Sequence, residues 1–213
     1  MQDMEISNYI INFCHLLYMK NMVNSTGGNV SLRKNDVVFI TSTGSLLGKL
    51  TPEMIIKVKL DGSVLGSGKP SKETAMHLGI YNARPGICGI VHPHPPYSIA
   101  YSCIVQPYDM EFVDMPAFTP GFAKRIGRMG FVPYSKPGSG DLANCVKKLI
   151  AKYNGLLLQN HGIVTVGSDL EEALALSEEI EENAQLYFLT YGHPSARVLS
   201  PEDMGELIGK PLA

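Results

Sequence analysis

Apolar residues along the chain recur with two different periods, and the switching between them predicts alternating helices and strands. Ile6, Tyr9, Ile10, Phe13, Leu16 and Leu17 fall at helical spacing, which predicts an amphipathic helix over about residues 5–20. Asn24–Asn29 is a polar, glycine-bearing loop, followed by strands at Val30–Arg33 and Val37–Thr41 joined through Asn35-Asp36. Thr51-Pro52-Glu53 has the form of a helix start, with threonine as cap and proline at the first helical position. Ile55–Leu60 predicts a strand ending in the Asp61-Gly62 turn. Ser71 can cap a helix running from Lys72 to about Ala83, which sets Glu73 in its first turn. Ile87–His94 predicts a strand that Pro95-Pro96 stops, with a helix from Tyr97. Val113–Tyr134 holds many Gly and Pro and shows no clear period. A helix over Asp141–Tyr153, strands at Leu156–Leu158 and Ile163–Val166, and a long helix close the pattern. A capping box at Ser168-Asp169-Leu170-Glu171 opens that helix, which ends at Gly192. No repeat, low-complexity tract or linker interrupts the order. It predicts one α/β domain over residues 1–213, with a core of about 5–192 and a C-terminal tail of 193–213.

Composition narrows the function classes. Apolar residues make up 45% of the chain and charged residues 18%, enough for a packed core and too few charges for a disordered segment. The formal net charge is −2 and no Lys/Arg cluster stands out, so neither nucleic acid nor a membrane surface is an expected partner. Any bound anion must be caught locally. Cys14, Cys88, Cys103 and Cys145 are widely spaced with no C-x-x-C pair, which fits reduced thiols and a cytoplasmic setting. The opening Met-Gln-Asp-Met-Glu does not read as a signal peptide, and no apolar run approaches a membrane span.

The candidate chemistry lies in histidines and glycine-bearing loops. His92 and His94 stand two apart on a strand, so both imidazoles face one side and can share a metal ion. His161 lies between two strands in a tight Asn160-His161-Gly162 segment, and three histidines with an open position form a known catalytic zinc arrangement. Glu73 could be only a partner of its helix dipole. The irregular loop of Gly66, Gly68 and Pro70 leads straight into that helix start, however, so the turn can hold an anion with Glu73 beside the metal. Thr26-Gly27-Gly28-Asn29 and Ser42-Thr43-Gly44 offer further donors and close backbone approach, without matching a P-loop or a dinucleotide fingerprint. His77, four residues after Glu73, could hydrogen-bond it along one helix face. His15 and His193 carry no such context. There is no G-x-S-x-G and no cysteine in a nucleophile setting.

Taken in order, Gly27-Gly28-Asn29-Val30-Ser31, Thr43-Gly44, Lys69-Pro70-Ser71-x-Glu73, Val91-His92-x-His94 and Asn160-His161-Gly162 resemble the class II aldolase/adducin family, from the first helix to Gly192. The resemblance implies a three-layer α/β/α sandwich on a largely antiparallel central sheet, and a homotetramer with active sites between subunits. It implies Zn²⁺, with Mn²⁺ or Co²⁺ as substitutes, on His92, His94 and His161. It gives Glu73 the roles of resting ligand and acid–base, and Thr26, Gly28, Asn29, Thr43, Gly44, Ser71 and Lys72 that of the phosphate and substrate site. The family's epimerases carry aspartate where Glu73 stands, and its adducin-type members have lost the metal ligands. The implied activity is therefore carbon–carbon cleavage of a small phosphorylated sugar. The leading reading is retro-aldol cleavage of a ketose phosphate to dihydroxyacetone phosphate and an aldehyde through a metal-bound enediolate. Two departures favour an alternative, decarboxylation of a 3-oxo acid phosphate. Lys72 stands where fuculose-phosphate aldolases have a serine, and Val113–Gly121 lacks their tyrosine.

Overall fold

The computed structural model describes residues 2–105 and 111–208; the remainder of the 1–213 domain reading lies outside the described residues. The elements in chain order are α1 (Asp3–Met19), β1 (Asn29–Lys34), β2 (Val37–Thr41), β3 (Ile55–Lys59), β4 (Val64–Leu65), α2 (Thr74–Ala83), β5 (Gly89–His92) and α3 (Pro96–Ile104). They continue as β6 (Phe112–Val113), α4 (Pro120–Arg125), β7 (Met129–Val132), α5 (Gly140–Ile150), β8 (Gly155–Leu158), β9 (Gly162–Gly167), α6 (Leu170–Thr190) and α7 (Pro201–Ile208). The strands form one sheet in the order β4-β3-β2-β1-β5-β9-β8-β7-β6. Every pairing is antiparallel except β7 with β8.

Strand alternation divides the sheet between two helical layers. Val38, Ile40, Ile90, Leu156 and Val164 pack under α2 and α5, whose Met76, Ile80, Tyr81, Val146 and Ile150 cover them. On the other face Val30, Leu32, Phe39 and Val91 meet α1 and the start of α6. Phe131, Leu157 and Ile163 on that face meet Tyr101 of α3, Phe122 of α4 and Ile180 of α6. Because Val30 and Leu32 point to the α1 face, Asn29 and Ser31 point toward α2. The same parity sends His92 to the α2 side with Ile90. Asn29 pairs with His92 in the β1–β5 register, and Gly162 opens β9 alongside. The central strands therefore present Asn29, His92 and the β8–β9 turn at one end of the sheet.

Several local expectations are corrected. Thr51-Pro52-Glu53 opens only a 3₁₀ turn at Pro52–Met54, because the chain must enter β3 at the buried Ile55 and Ile56. The helix expected from Lys72 begins at Thr74. Its entry is tied to the end of β2, with the Ser71 N–H on the Thr41 carbonyl at 3.0 Å, so residues 71–73 form a turn rather than helix. Strand β5 stops at His92, since Pro93 has no N–H to continue the ladder. The capping box of α6 sits one residue downstream of Ser168: Asp169 Oδ1 accepts from the Glu172 N–H at 2.7 Å, and Glu172 Oε2 accepts from the Ser168 N–H and hydroxyl. Within 113–134 lie α4, capped by Thr119, and the fully buried β7. The stretch set aside as a tail carries α7. Leu199, Met204 and Leu207 pack there against the third core cluster, and the Leu199 N–H donates to the Ala117 carbonyl at 2.8 Å. No helix among the described residues is long and apolar enough to cross a membrane.

Candidate metal and anion site

Each of the three histidines is delivered by a different constraint. His92 ends β5 and is fully buried. Its Nδ1 lies 2.7 Å from the Ile163 carbonyl, which accepts the ring proton and leaves Nε2 facing the site. His94, beyond Pro93, is held by its N–H on the Met22 carbonyl at 2.9 Å. Its ring lies between two glycines: a Cβ on Gly27 would come 2.7 Å from His94 Nδ1, and one on Gly162 would come 2.9 Å from His94 Cδ2. His161 occupies the three-residue turn between β8 and β9, where Asn160 takes a left-handed φ of 55°. Asparagine tolerates that region better than most side chains. Asn160 is held there by its N–H on Ser102 Oγ at 2.9 Å.

Glu73 completes the group. Its Oε2 lies 3.2 Å from His92 Nε2, and its Oε1 lies 3.6 Å from His161 Nε2. His94 Nε2 is 3.1 Å from His92 Nε2, and ligand atoms from all four residues lie within 4.8 Å of one another. With the His92 proton committed to a carbonyl, lone pairs of His92, His94 and Glu73 converge, an arrangement that a cation between them would satisfy. A tetrahedral zinc with Zn–N bonds of 2.0–2.1 Å would set its ligands about 3.4 Å apart, close to these separations. Glu73 Oε1 and His161 Nδ1 are buried without a hydrogen-bond partner. The donor set thus fits a divalent ion.

Electrostatics favour the same species. Burial first, then the neighbouring His92 and His161, hold His94 down to about 3. Burial and His92 hold His161 down to about 4. Both are neutral near pH 7, the form that ligates metal. Burial alone would raise the Glu73 carboxyl, but His92 and the hydrogen bond from Asn29 outweigh it and hold the group well below the usual carboxylate range. Burial opposes protonation of His92 as well, and Glu73 beside it raises that imidazole.

Next to this cluster lies a cavity of about 200 Å³. Thr26, Gly28, Asn29, Thr43, Gly44, Ser71 and Lys72 all line it, together with Glu73, His94 and His161. Gly28 and Gly44 take φ of 80° and 71°, which turns the two loops sharply around it. Ser71 Oγ accepts from the Glu73 N–H at 3.2 Å, so the α2 entry faces the cavity with its hydroxyl partly engaged. Pro137, from the loop after β7, completes the wall and had no signal in the sequence. His77 departs from expectation. Its ring meets Asn29 and Ser31, while only its backbone N–H reaches Glu73, at the carbonyl. No residue of Val113–Gly121 is among the cavity's lining residues, and Met115 and Ala117 are buried in the third core cluster. The exposed Tyr134 does not line it either.

The fold and these motifs have close parallels. Residues 8–188 match the family model for the class II aldolase and adducin N-terminal domain. The chain is 39% identical over 186 residues to an L-fuculose phosphate aldolase of Methanococcus maripaludis, covering 87% of this chain and 97% of the relative. It is 34% identical over 208 residues to a 3-oxo-tetronate 4-phosphate decarboxylase of Haemophilus influenzae, covering 97% and 98%. The solved structure of YgbL from Escherichia coli superposes with a TM-score of 0.90 at 34% identity, covering 98% of this chain and all (100%) of that one. The chain belongs to the class II aldolase and adducin family, as an aldolase-type lyase.

Proposed function

We propose that the protein cleaves a carbon–carbon bond in a small phosphorylated sugar, with retro-aldol cleavage of a ketose phosphate as the leading reaction. The observation that carries this reading is Glu73 Oε1, a buried carboxylate oxygen with no hydrogen-bond partner, 3.6 Å from His161 Nε2 on a residue that lines the donor-rich cavity. His92, His94 and His161 would hold a divalent ion, zinc by preference, which supplies Lewis acidity to the reacting carbonyl. Thr26, Thr43, Ser71, Lys72 and the glycine loops would bind the phosphate. Glu73 takes the proton of the hydroxyl on the carbon that departs as aldehyde. The bond pair stays on the phosphate-bearing fragment as an enediolate, whose carbon then recovers a proton from Glu73. A wider cleft of about 870 Å³ meets the cavity at His94 and is lined by Tyr18, Val23, Pro96 and Ile99. It offers room for an aldehyde of several carbons and supports the aldol reading. A cytoplasmic homotetramer is part of the proposal.

Decarboxylation of a 3-oxo acid phosphate is the second reading. It is favoured by Lys72 on the cavity wall and by the decarboxylase relatives. Here carbon dioxide leaves, no hydroxyl proton is removed, and Glu73 relays to the remaining carbon a proton that it takes up from solvent. Incubation with L-fuculose 1-phosphate and with a 3-oxo-tetronate 4-phosphate separates the two, with dihydroxyacetone phosphate, aldehyde and carbon dioxide read independently. Aldehyde in equal yield with dihydroxyacetone phosphate is expected. Carbon dioxide without aldehyde assigns the second reading, and neither product overturns both.

A further inference from the structure

Behind Glu73 runs a buried chain of hydrogen bonds that the reaction above does not use. Asn29 Nδ2 lies 2.9 Å from Glu73 Oε2, and Asn29 Oδ1 lies 2.5 Å from His77 Nε2. Ser31 Oγ lies 2.7 Å from His77 Nδ1 and 2.8 Å from Tyr81 Oη, which also lies 3.2 Å from the Cys88 carbonyl. His77, Ser31 and Tyr81 are all fully buried, so no water competes for these contacts.

The carboxylate fixes the direction of the whole chain. Ionised Glu73 can only accept, so Asn29 must turn its N–H toward it and its carbonyl away. That carbonyl then requires a proton on His77 Nε2. His77 is fully buried and its ring meets only uncharged groups, Asn29 Oδ1 and Ser31 Oγ, so burial favours the neutral ring. A neutral ring with its proton on Nε2 has a bare Nδ1, which accepts from the Ser31 hydroxyl. Ser31 has no second proton, so the Tyr81 hydroxyl turns its one proton to Ser31, and the Cys88 carbonyl keeps the Arg33 N–H, at 2.8 Å, as its donor. Every donor points toward Glu73. Reversing Asn29 or the neutral His77 ring would set two acceptors against each other without solvent, at a cost of roughly 1–3 kcal/mol.

We infer that Ser31 and His77 are positioning residues for Glu73: they lock the Asn29 amide, which engages Oε2 and leaves Oε1 turned to the cavity. The functional consequence rests on the reading of Glu73 as the proton-transferring group. Asn29 was expected from the family resemblance as a phosphate contact. Here its carbonyl and one N–H are already committed inside the protein, so its main task is to hold the carboxylate.

The test has an arm that needs no turnover. Nitrogen-15 NMR of the metal-free full-length protein, labelled at histidine, reads the His77 tautomer. The expected result is a proton on Nε2 and a bare Nδ1. In turnover assays Ser31→Ala should lower kcat about tenfold, within the range for residues that orient a metal site's ligands, with the competitive inhibition constant of inorganic phosphate unchanged. His77→Gln, whose amide N–H can meet Asn29 Oδ1, should retain more activity than His77→Leu. A proton on His77 Nδ1 overturns the inference, as does a kcat within twofold of wild type in both Ser31→Ala and His77→Leu. If His77→Leu does not fold, Ser31→Ala alone decides. If the wild-type protein shows no lyase activity, the reading of the site fails, while the tautomer result still decides the hydrogen-bond direction.

Discussion

The two parts of the site share a cavity but are built in opposite ways. The histidine–glutamate cluster is buried at His92 and Glu73, half-buried at His94 and His161, and made of side chains whose orientations are fixed from behind: His92 by a carbonyl, His94 between glycines, Glu73 by Asn29. The proposed anion cradle is open, with Thr26, Thr43, Gly44 and Lys72 all exposed, and is made largely of loops and hydroxyls. A group that must shift charge within the reaction needs preorganisation away from water. A phosphate carries its charge throughout, and several weak donors can hold it. Substitutions in the cluster should therefore strike kcat and metal affinity, and substitutions in the cradle should strike KM.

The largest effect is expected from His92→Ala, which removes a fully buried member of the proposed metal cluster. Turnover should fall by at least about a thousandfold, the equivalent of several kcal/mol of lost charge stabilisation, and bound metal measured by elemental analysis should fall with it. Glu73→Gln should keep the fold by circular dichroism and lower kcat by at least about a hundredfold, the scale of a positioned acid or base; a loss of only a few-fold would reduce Glu73 to a helix-start residue. Gly27→Ala presses a methyl toward His94 Nδ1 and the Asn24 carbonyl, where a Cβ would stand at 2.7 and 3.1 Å. Metal affinity, measured by competition with a chelator, should weaken about tenfold or more. Unchanged affinity would show that the ring shifts freely. Lys72→Ser lies on the cradle side. It should raise KM roughly two- to fivefold with kcat nearly constant, the yield of one exposed charge, and more for a 3-oxo acid phosphate than for a ketose phosphate. A loss confined to kcat would move Lys72 into the cluster's half of the comparison.

The smallest effect separates the halves by pH. His77, His94 and His161 are held down to about 3, about 3 and about 4, below the roughly 6.5 of an unfolded histidine. Between about pH 6.5 and 4 the unfolded chain binds protons at these three sites that the folded chain refuses, so stability is lost as pH falls through that window. His92, raised by Glu73, works against the trend as a single site. The Tm of metal-free protein should drop by about 5 °C or more from pH 7 to pH 5. A flat profile would contradict the neutral state of these buried and half-buried imidazoles.

How much of this was legible in the sequence follows from the range of the interactions. Periodicity marked the helices and central strands because each carries its own apolar face, as in α1 and α5. The motif order marked His92, His94, His161, Glu73 and the candidate cradle residues, which the fold gathers into one side-chain cluster and the cavity beside it. Contacts between distant segments were not legible. Strand β7 has no alternation and is defined by its pairing with β8. The α2 start is moved by a hydrogen bond to β2, and α7 is recruited by the core that its own residues cap. The link from His77 to Asn29 spans 48 positions, so the helical spacing from Glu73 to His77 suggested a direct bond that the sheet instead diverts.

The central claim is that the cluster is a metal centre on which lyase activity depends. It is tested most directly by measuring metal content and turnover together, in protein purified without chelators, after stripping, and after restoring one divalent ion. The account predicts about one ion per chain, loss of turnover on stripping, and recovery with zinc, manganese or cobalt in wild type but not in His92→Ala. A metal-free preparation that keeps full turnover in the presence of chelator would contradict it.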